Sequence, residues 1–467
     1  MKWNKVILCM LVLISCVVPV SFSFASDNTH TGHKLSDIKQ IASGYATMYA
    51  LNKQGELWGW GYNSNGNLGL GDKVDRFAPV KLPTPSALKF KQIASGFGIT
   101  AALTTDGQVV SWSNDVYDLP TYRSKTPAIV SGFSHIKQVA TGDNFVLALD
   151  EQGKVWGWGS NNTGGIPGAA KGEVSQPVLI SGLPDHIKSI TSNYNGGGAA
   201  LTDQGKVWYW RSTSKDGKQP ATAPTEIPNI SQVQSLHSYY WNVAVIDKQG
   251  KGLIFDTDSK KLQSITVSGS LKDISDGSVV TNDGNMYTYD TDNAKWISVK
   301  NHPSGIEQIQ GDFLILTSLG EVWSKGVNVN GQLGIDSYVR HIETYQSVVQ
   351  PIQVTVNGQI IQLVNSPKII NNIVYLPIRG VEKLGVKVQW NSAQKDTVIL
   401  TKDQQAIQLK VGQKQAQVNG KTVKLDGSVQ TFNGSILVPI RFVSQTFGSK
   451  VSWNPKEYIV AITSTAS

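Results

Sequence analysis

Cysteine is almost missing. The chain has 467 residues and two cysteines, Cys9 and Cys16, both within the first 25 positions. Once such a leader is removed no thiol remains, which excludes disulfides, thiolate metal sites and a cysteine nucleophile, so packing alone must hold the fold. Histidine is sparse as well. His30, His33, His135, His186, His237, His302 and His341 are scattered with no ligand spacing, and nothing suggests a metal site. No G-x-S-x-G elbow or H-E-x-x-H helix occurs. Gly420-Lys421-Thr422 resembles the end of a phosphate loop, but Gln415 stands where its first glycine belongs. Asp290-Thr291-Asp292-Asn293 opens like a calcium loop without the glycine and closing glutamate, and reads as a turn. Charged residues make up only 16%, with a balance of +8 and no basic run. That basicity implies weak attraction to anionic surfaces such as a cell wall, not a nucleic-acid footprint.

The one long apolar run is at the start. Lys2 and Lys5 precede Val6 to Val20, and Ser23-Phe24-Ala25 supplies small residues for cleavage. This predicts a secretory signal over residues 1–25. The run falls short of the roughly 20 residues that span a bilayer. An alternative is a lipoprotein anchored at Cys16, within Leu13-Ile14-Ser15-Cys16; the apolar stretch that follows argues against it. The expected location is extracellular or wall-associated.

What the chain has in abundance is glycine, 45 residues, and tryptophan, 13. Both suit short strands and tight turns better than helices. The stretch NKQGELWGWGYNSNGNLGLG from Asn52 returns as LGEVWSKGVNVNGQLG. Gly55, Gly61, Asn63, Asn65, Gly66, Leu68 and Gly69 are answered at one offset by Gly320, Gly326, Asn328, Asn330, Gly331, Leu333 and Gly334. Periodicity of this length decides architecture before local propensity does.

Each unit opens alike: IKQIASG at Ile38, FKQIASG at Phe90, IKQVATG at Ile136, IKSITSN at Ile187, VQSLHS at Val233, LKDISDG at Leu271 and IEQIQG at Ile306. A small apolar strand follows, then a glycine turn. The spacing between these glycines is fixed in the first three units: Gly44 to Gly55, Gly96 to Gly107, Gly142 to Gly153. Next come tryptophans two apart, Trp58/Trp60, Trp156/Trp158 and Trp208/Trp210, with Trp112 and Trp323 as single survivors. A spacing of two places both rings on one face of a strand, where they pack between sheets rather than serve as sugar platforms. A fourth strand opens with Pro79, Pro127, Pro177 or Pro224, as an edge strand can. Sheets this small bury both faces only by stacking on one another in a circle. The expected fold is mainly β: a seven-bladed propeller over 34–350, with the segment near Thr344 to Val349 completing the first blade. Units five and six, Ser231 to Val299, are degenerate.

These residues resemble the regulator of chromosome condensation (RCC1-like) repeats, marked by G-x-x-x-T-x-A-L, D-G-x-V-W-x-W-G and N-x-x-G-Q-L-G. Here the motifs read Gly96 with Thr100 and Leu103, Asp106-Gly107, and Asn328 to Gly334. The resemblance implies a propeller. Members include nuclear exchange factors for a small GTPase, a role a signal peptide argues against. Secreted bacterial members are binding proteins, among them an inhibitor of β-lactamase. Such a fold name fixes architecture better than function.

From Gln350 a second duplication appears, over 351–465 with half-repeats near 352–401 and 413–463. VNGQIIQL at Val356 answers VNGKTVKL at Val418, and Pro377 and Arg379 match Pro439 and Arg441. Each half reads as short strands and a brief helix (Gly380 to Leu384, Phe442 to Phe447), closed by Gly385 or Gly448. This small α+β domain resembles the stalk domain named after the N-terminal region of copper amine oxidases. No His, Cys or Met follows His341, so the name implies no copper chemistry. Arg379 and Arg441 are expected to tie their strands to a neighbouring carbonyl or carboxylate.

No catalytic residue, metal or cofactor is expected. The candidate binding face is Tyr45, Phe97, Tyr194, Tyr239, Tyr240 and Phe313, at or near the turn after the opening strand. Equivalent positions on radial sheets fall on one circle, so these rings either form an aromatic rim at one end of the propeller or fold inward and plug its channel. The expected protein is a monomeric, non-enzymatic binding platform for a protein or a wall polysaccharide, without nucleic acid. A propeller-type inhibitor of a secreted enzyme comes second, and an extracellular hydrolase third.

Overall fold

The computed structural model describes residues 33–85, 88–113, 124–193, 196–213, 221–361, 363–391, 396–432, 434–455 and 457–464. The expected signal segment, with Cys9 and Cys16, lies outside these. Among the described residues, Ile38–Ser347 hold seven four-stranded antiparallel sheets, each of four consecutive strands. The first comprises Ile38–Ser43, Thr47–Asn52, Leu57–Gly61 and Arg76–Lys81. The degenerate stretch keeps the plan, with complete sheets at Val233–Ile265 and Leu271–Ser298.

The core lies between sheets, not within them. One apolar cluster fills each junction. Between the seventh and first sheets, Leu314, Leu316 and Val322 meet Ile38, Ile41, Trp58 and Trp60. Between the first and second, Leu51 and Leu57 meet Phe90, Ile93 and Trp112. The series continues around the ring. Trp58, Trp60, Trp112, Trp158 and Trp210 are buried, whereas Trp156 and Trp208, the other members of two of the pairs, are half-buried.

The loop motif explains itself chemically. Asn63, Asn161 and Asn328 occupy one position and are buried. Each Oδ1 accepts an N–H five residues on, from Leu68 (2.8 Å), Ile166 (2.7 Å) and Leu333 (3.0 Å). Each Nδ2 donates to a loop carbonyl, of Asp72, Ala169 or Ser337. One side chain thereby satisfies a buried loop that has no ladder. The loop then receives a ring nitrogen from the following sheet. Trp60 Nε1 donates to the Gln332 carbonyl at 3.0 Å, Trp112 to Asn67 at 3.2 Å and Trp210 to Gly165 at 3.0 Å.

A second device binds the inner strands together. Gln40, Gln92, Gln138 and Gln308 each use the side-chain amide as a surrogate peptide. Gln40 accepts from Ile93 N and donates to Ile93 O, both at 2.9 Å. Gln308 does the same to Ile41 across the closure, at 2.9 and 3.0 Å. At the sixth sheet Asp273 takes this place and accepts Ile309 N at 2.9 Å.

The sequence reading is corrected in two places. The segment near Thr344 does not complete the first sheet. His341–Ser347 pairs with Val322–Val327 in the seventh, because Arg76–Lys81 already fills the first sheet's fourth position. Closure is made instead by the glutamine clasp and a short bridge, Lys34 to Val349. Pro79 and Pro177 also sit inside their edge strands rather than at the start. The ladder skips each of them, passing from Gly59–Val80 to Gly61–Arg76 and from Gly157–Val178 to Gly159–Val174, an interruption only an edge tolerates.

The C-terminal domain, Gln353 to Ser464, interleaves its two halves. Ile373–Pro377 pairs with Ser435–Pro439, and Gln353–Val356 runs parallel to Ile459–Ser464. Its helices are a 3-10 turn, Ile378–Leu384, and an α-helix, Ile440–Thr446. Gly385 and Gly448 follow them with φ of 76° and 74°, as helix-ending glycines do. Arg379 and Arg441 do not tie strands together. Both are exposed on the first helical turn, and Arg379 pairs only locally, with Glu382 at 3.3 Å.

Candidate functional site

The inner strands surround an axial channel of about 310 Å3 lined by Gln40, Gln92, Gln138, His237, Asp273 and Gln308, among others. Strand direction fixes its two ends. The turns after the inner strands and the long loops before the fourth strands share one end. The glycine turns such as Gly55 lie at the other.

The candidate aromatics among the described residues are at the loop end, but not as one circle. Tyr45 is 53% exposed. Its ring lies 4.7 Å from that of half-buried Phe97, on the next sheet, and 5.8 Å from Tyr62, edge-on. Tyr62 N–H donates to the Ala46 carbonyl at 2.9 Å, which holds the exit of the tryptophan strand beside the Tyr45 turn. A second patch stands on the fifth sheet, where Tyr240 and Trp241 are 46% and 57% exposed. The Trp241 carbonyl is anchored by Asn193 Nδ2 at 2.9 Å. Burial raises the pKa of Tyr62, with Asp75 adding to it. Burial, then Asp276 and Asp312, raise that of Tyr240. Both phenols are therefore neutral hydrogen-bond donors at physiological pH.

Two candidates do not belong to this surface. Tyr239 is buried between the fifth and sixth sheets. Tyr240 adopts φ of 51°, which turns the chain so that its half-exposed ring stands edge-on to buried Tyr239, 5.3 Å between centres. Phe313 is half-buried against the core between the seventh and first sheets. Tyr194 lies outside the described residues. No described aromatic lines the channel, so the plug has no counterpart among them. Tyr62 was missed by sequence reasoning, although its place directly after Gly61 in WGWGY was a usable signal.

One Ser–His–Asp grouping occurs on the inner strands. Ser235 Oγ lies 2.8 Å from His237 Nε2, and His237 Nδ1 lies 3.3 Å from Asp273 Oδ1. Asp273 also holds Ile309 N, and Ser235 is not among the channel-lining residues. The grouping therefore joins the fifth, sixth and seventh sheets where glutamine clasps are missing, and presents no accessible nucleophile to the channel.

Comparison with known proteins follows this division. Models of the regulator of chromosome condensation (RCC1) repeat match residues 54–103, and 38–67, 90–118 and 136–164. The copper amine oxidase N-terminal domain matches 348–462. The ultraviolet-B receptor UVR8 of Arabidopsis thaliana is 30% identical over 182 residues, 37% of this chain and 41% of its own length. The mitochondrial RCC1 domain-containing protein RUG3 of the same plant is 34% identical over 150 residues, 30% of this chain and 33% of its own. The human E3 ubiquitin-protein ligase HERC2 is 26% identical over 208 residues, 43% of this chain and 4% of its own. The chain thus spans less than half the length of these relatives. Among solved structures, Prp20p of Saccharomyces cerevisiae is 20% identical with a TM-score of 0.43, covering 67% of this chain and 77% of its own. Human WBSCR16 is 17% identical with a TM-score of 0.42, over 68% and 82%. The chain carries regulator-of-chromosome-condensation repeats in a mainly β propeller, followed by a copper amine oxidase N-terminal domain.

Proposed function

We propose that the protein is a secreted or envelope-associated, non-enzymatic binding platform whose loop end engages a folded protein partner. The observation that carries this reading is the pair of exposed aromatic patches, Tyr45 with Tyr62 and Phe97, and Tyr240 with Trp241. Rigid aromatics with a neutral hydroxyl supply contact area at low entropic cost, and such residues dominate protein interfaces. Their backbone is held by neighbouring sheets, so little ordering remains to be done on binding. Two patches in different sectors of a broad end suit a protein surface; a glycan is gripped by rings along one cleft. The C-terminal domain acts as the envelope-side module.

The test is capture from culture fluid and from wall extract by the mature protein, and by a variant with alanine at Tyr45, Phe97 and Trp241. Recovery of one stoichiometric protein partner, lost in the variant while its melting curve is kept, supports the proposal. A secreted enzyme as that partner assigns the platform an inhibitory role. Retention on wall glycan alone, or unchanged capture by the variant, overturns it.

A further inference from the structure

The opposite end of the channel carries a feature that recurs in all seven sheets. In each, the ladder between the inner strand and its neighbour shifts register beside the second residue of the inner strand, as between Ile38 and Gln40 or Phe90 and Gln92. The second residue is therefore extra and unpaired. A bulge of this kind re-aims its side chain. The residues so placed are Lys39, Lys91, Lys137, Lys188, Gln234, Lys272 and Glu307. The third residues of five of these strands, Gln40, Gln92, Gln138, Asp273 and Gln308, line the channel, Asp273 engaged with His237 and the Ile309 N–H. The bulged positions consequently encircle its mouth, at the end away from the aromatic loops.

Three of the amines lean around the rim rather than across it. Lys39 Nζ donates to the Phe90 carbonyl at 3.2 Å, Lys137 to Ile187 at 3.4 Å and Lys272 to Ile306 at 3.0 Å. In each case the acceptor is the first residue of the next sheet's inner strand. Lys91 and Lys188 are exposed and make no hydrogen bond or ion pair with the described residues. The one opposing charge at these positions, Glu307, lies 2.8 Å from Lys272. Five ammonium groups thus share one axis, and the field at a narrow mouth is focused rather than dispersed.

We propose that this mouth binds a compact multivalent anion of the short-chain polyphosphate class, small enough for all its phosphoryl groups to lie within the ring. A ring of cations matches charges that lie within it, whereas an extended polyanion needs a stripe. Lysine suits the role because its ammonium is a mobile point charge that takes phosphate oxygens from any direction. Lys39 and Lys137 reach inward by giving up only a carbonyl contact, whereas Lys272 must also leave Glu307.

Titration calorimetry of the full chain with tripolyphosphate, at low ionic strength, tests this. The expected result is one tripolyphosphate per chain, bound at least about tenfold more tightly than orthophosphate, since attraction grows with ligand charge. Lys91→Gln with Lys188→Gln, positions free of structural contacts, should weaken it about tenfold without changing the melting temperature. Lys421→Gln with Lys424→Gln, exposed in the C-terminal domain, should leave it unchanged. Equal loss in both variants, no loss at the mouth, or binding of long single-stranded DNA but not tripolyphosphate would overturn the assignment.

Discussion

A buried ion pair joins the propeller to the C-terminal domain, beside a hydrogen bond from Tyr338 to Asn365. Lys368 Nζ contacts Asp336 Oδ2, with the two side chains only 7% and 17% exposed, and the ammonium lies 4.4 Å from the centre of the Phe432 ring. Burial pushes the Lys368 ammonium down to about 7, while the adjoining carboxylate favours the charged form; the pair holds only as long as both are present. Lys368→Met would strand a buried carboxylate and Asp336→Asn a buried ammonium. Each single change should cost about 3–5 kcal/mol, whereas Lys368→Met with Asp336→Leu should recover most of the loss, as apolar replacements of buried pairs do. Urea unfolding of all four proteins gives the coupling directly. Additive single losses would show that the contact contributes nothing as a pair.

At the level of the element, the loop after the tryptophan strand in the first and seventh sheets is specified by three residues acting across a junction. Gly69 has φ of 71°, and a Cβ there would sit 2.6 Å from Trp112 Cδ1; its counterpart Gly334 has φ of 64° and would meet Trp60 Nε1 at 2.7 Å. Gly69→Ala combines left-handed strain with a clash against a fixed indole and should cost several kcal/mol, at least about 3. Asn63→Ala leaves the Leu68 N–H and the Asp72 carbonyl unpaired and should cost about 2–4 kcal/mol. Thermal melts followed by tryptophan fluorescence check both, and an unchanged melt for either removes the loop from the set of stabilising elements. The loop positions were legible in the sequence because the asparagine and glycine recur together at one offset. The fate of the turn aromatics was not, since Tyr239 and Tyr240 differ by one residue and one left-handed φ, yet one is core and the other surface. Nor was the lysine mouth, whose members are far apart in sequence although they share the second column of the repeat. A search for local basic runs cannot see charges that only a bulge and a ring bring together.

The whole molecule is a circle of weak units, which makes its closing junction testable against an interior one. Gln308 and Gln92 make the same two bonds to the next inner strand, at 2.9 and 3.0 Å to Ile41 and at 2.8 and 3.0 Å to Val139. They differ in the chain they span, 267 residues against 47. In a closed ring, loosening either junction leaves the same seven-sheet arc, so Gln308→Met and Gln92→Met should destabilise equally, by about 2 kcal/mol each. Their kinetics should diverge. Closing the longer span costs more chain entropy and comes late. Gln308→Met should therefore act mainly by speeding unfolding, while Gln92→Met, between sheets adjacent in sequence, should also slow folding. Stopped-flow chevrons on the two variants separate these arms. A Gln308→Met variant as stable as the unaltered protein, beside a weakened Gln92→Met, would mean that the seventh sheet does not support the first and that the ring behaves as an open stack.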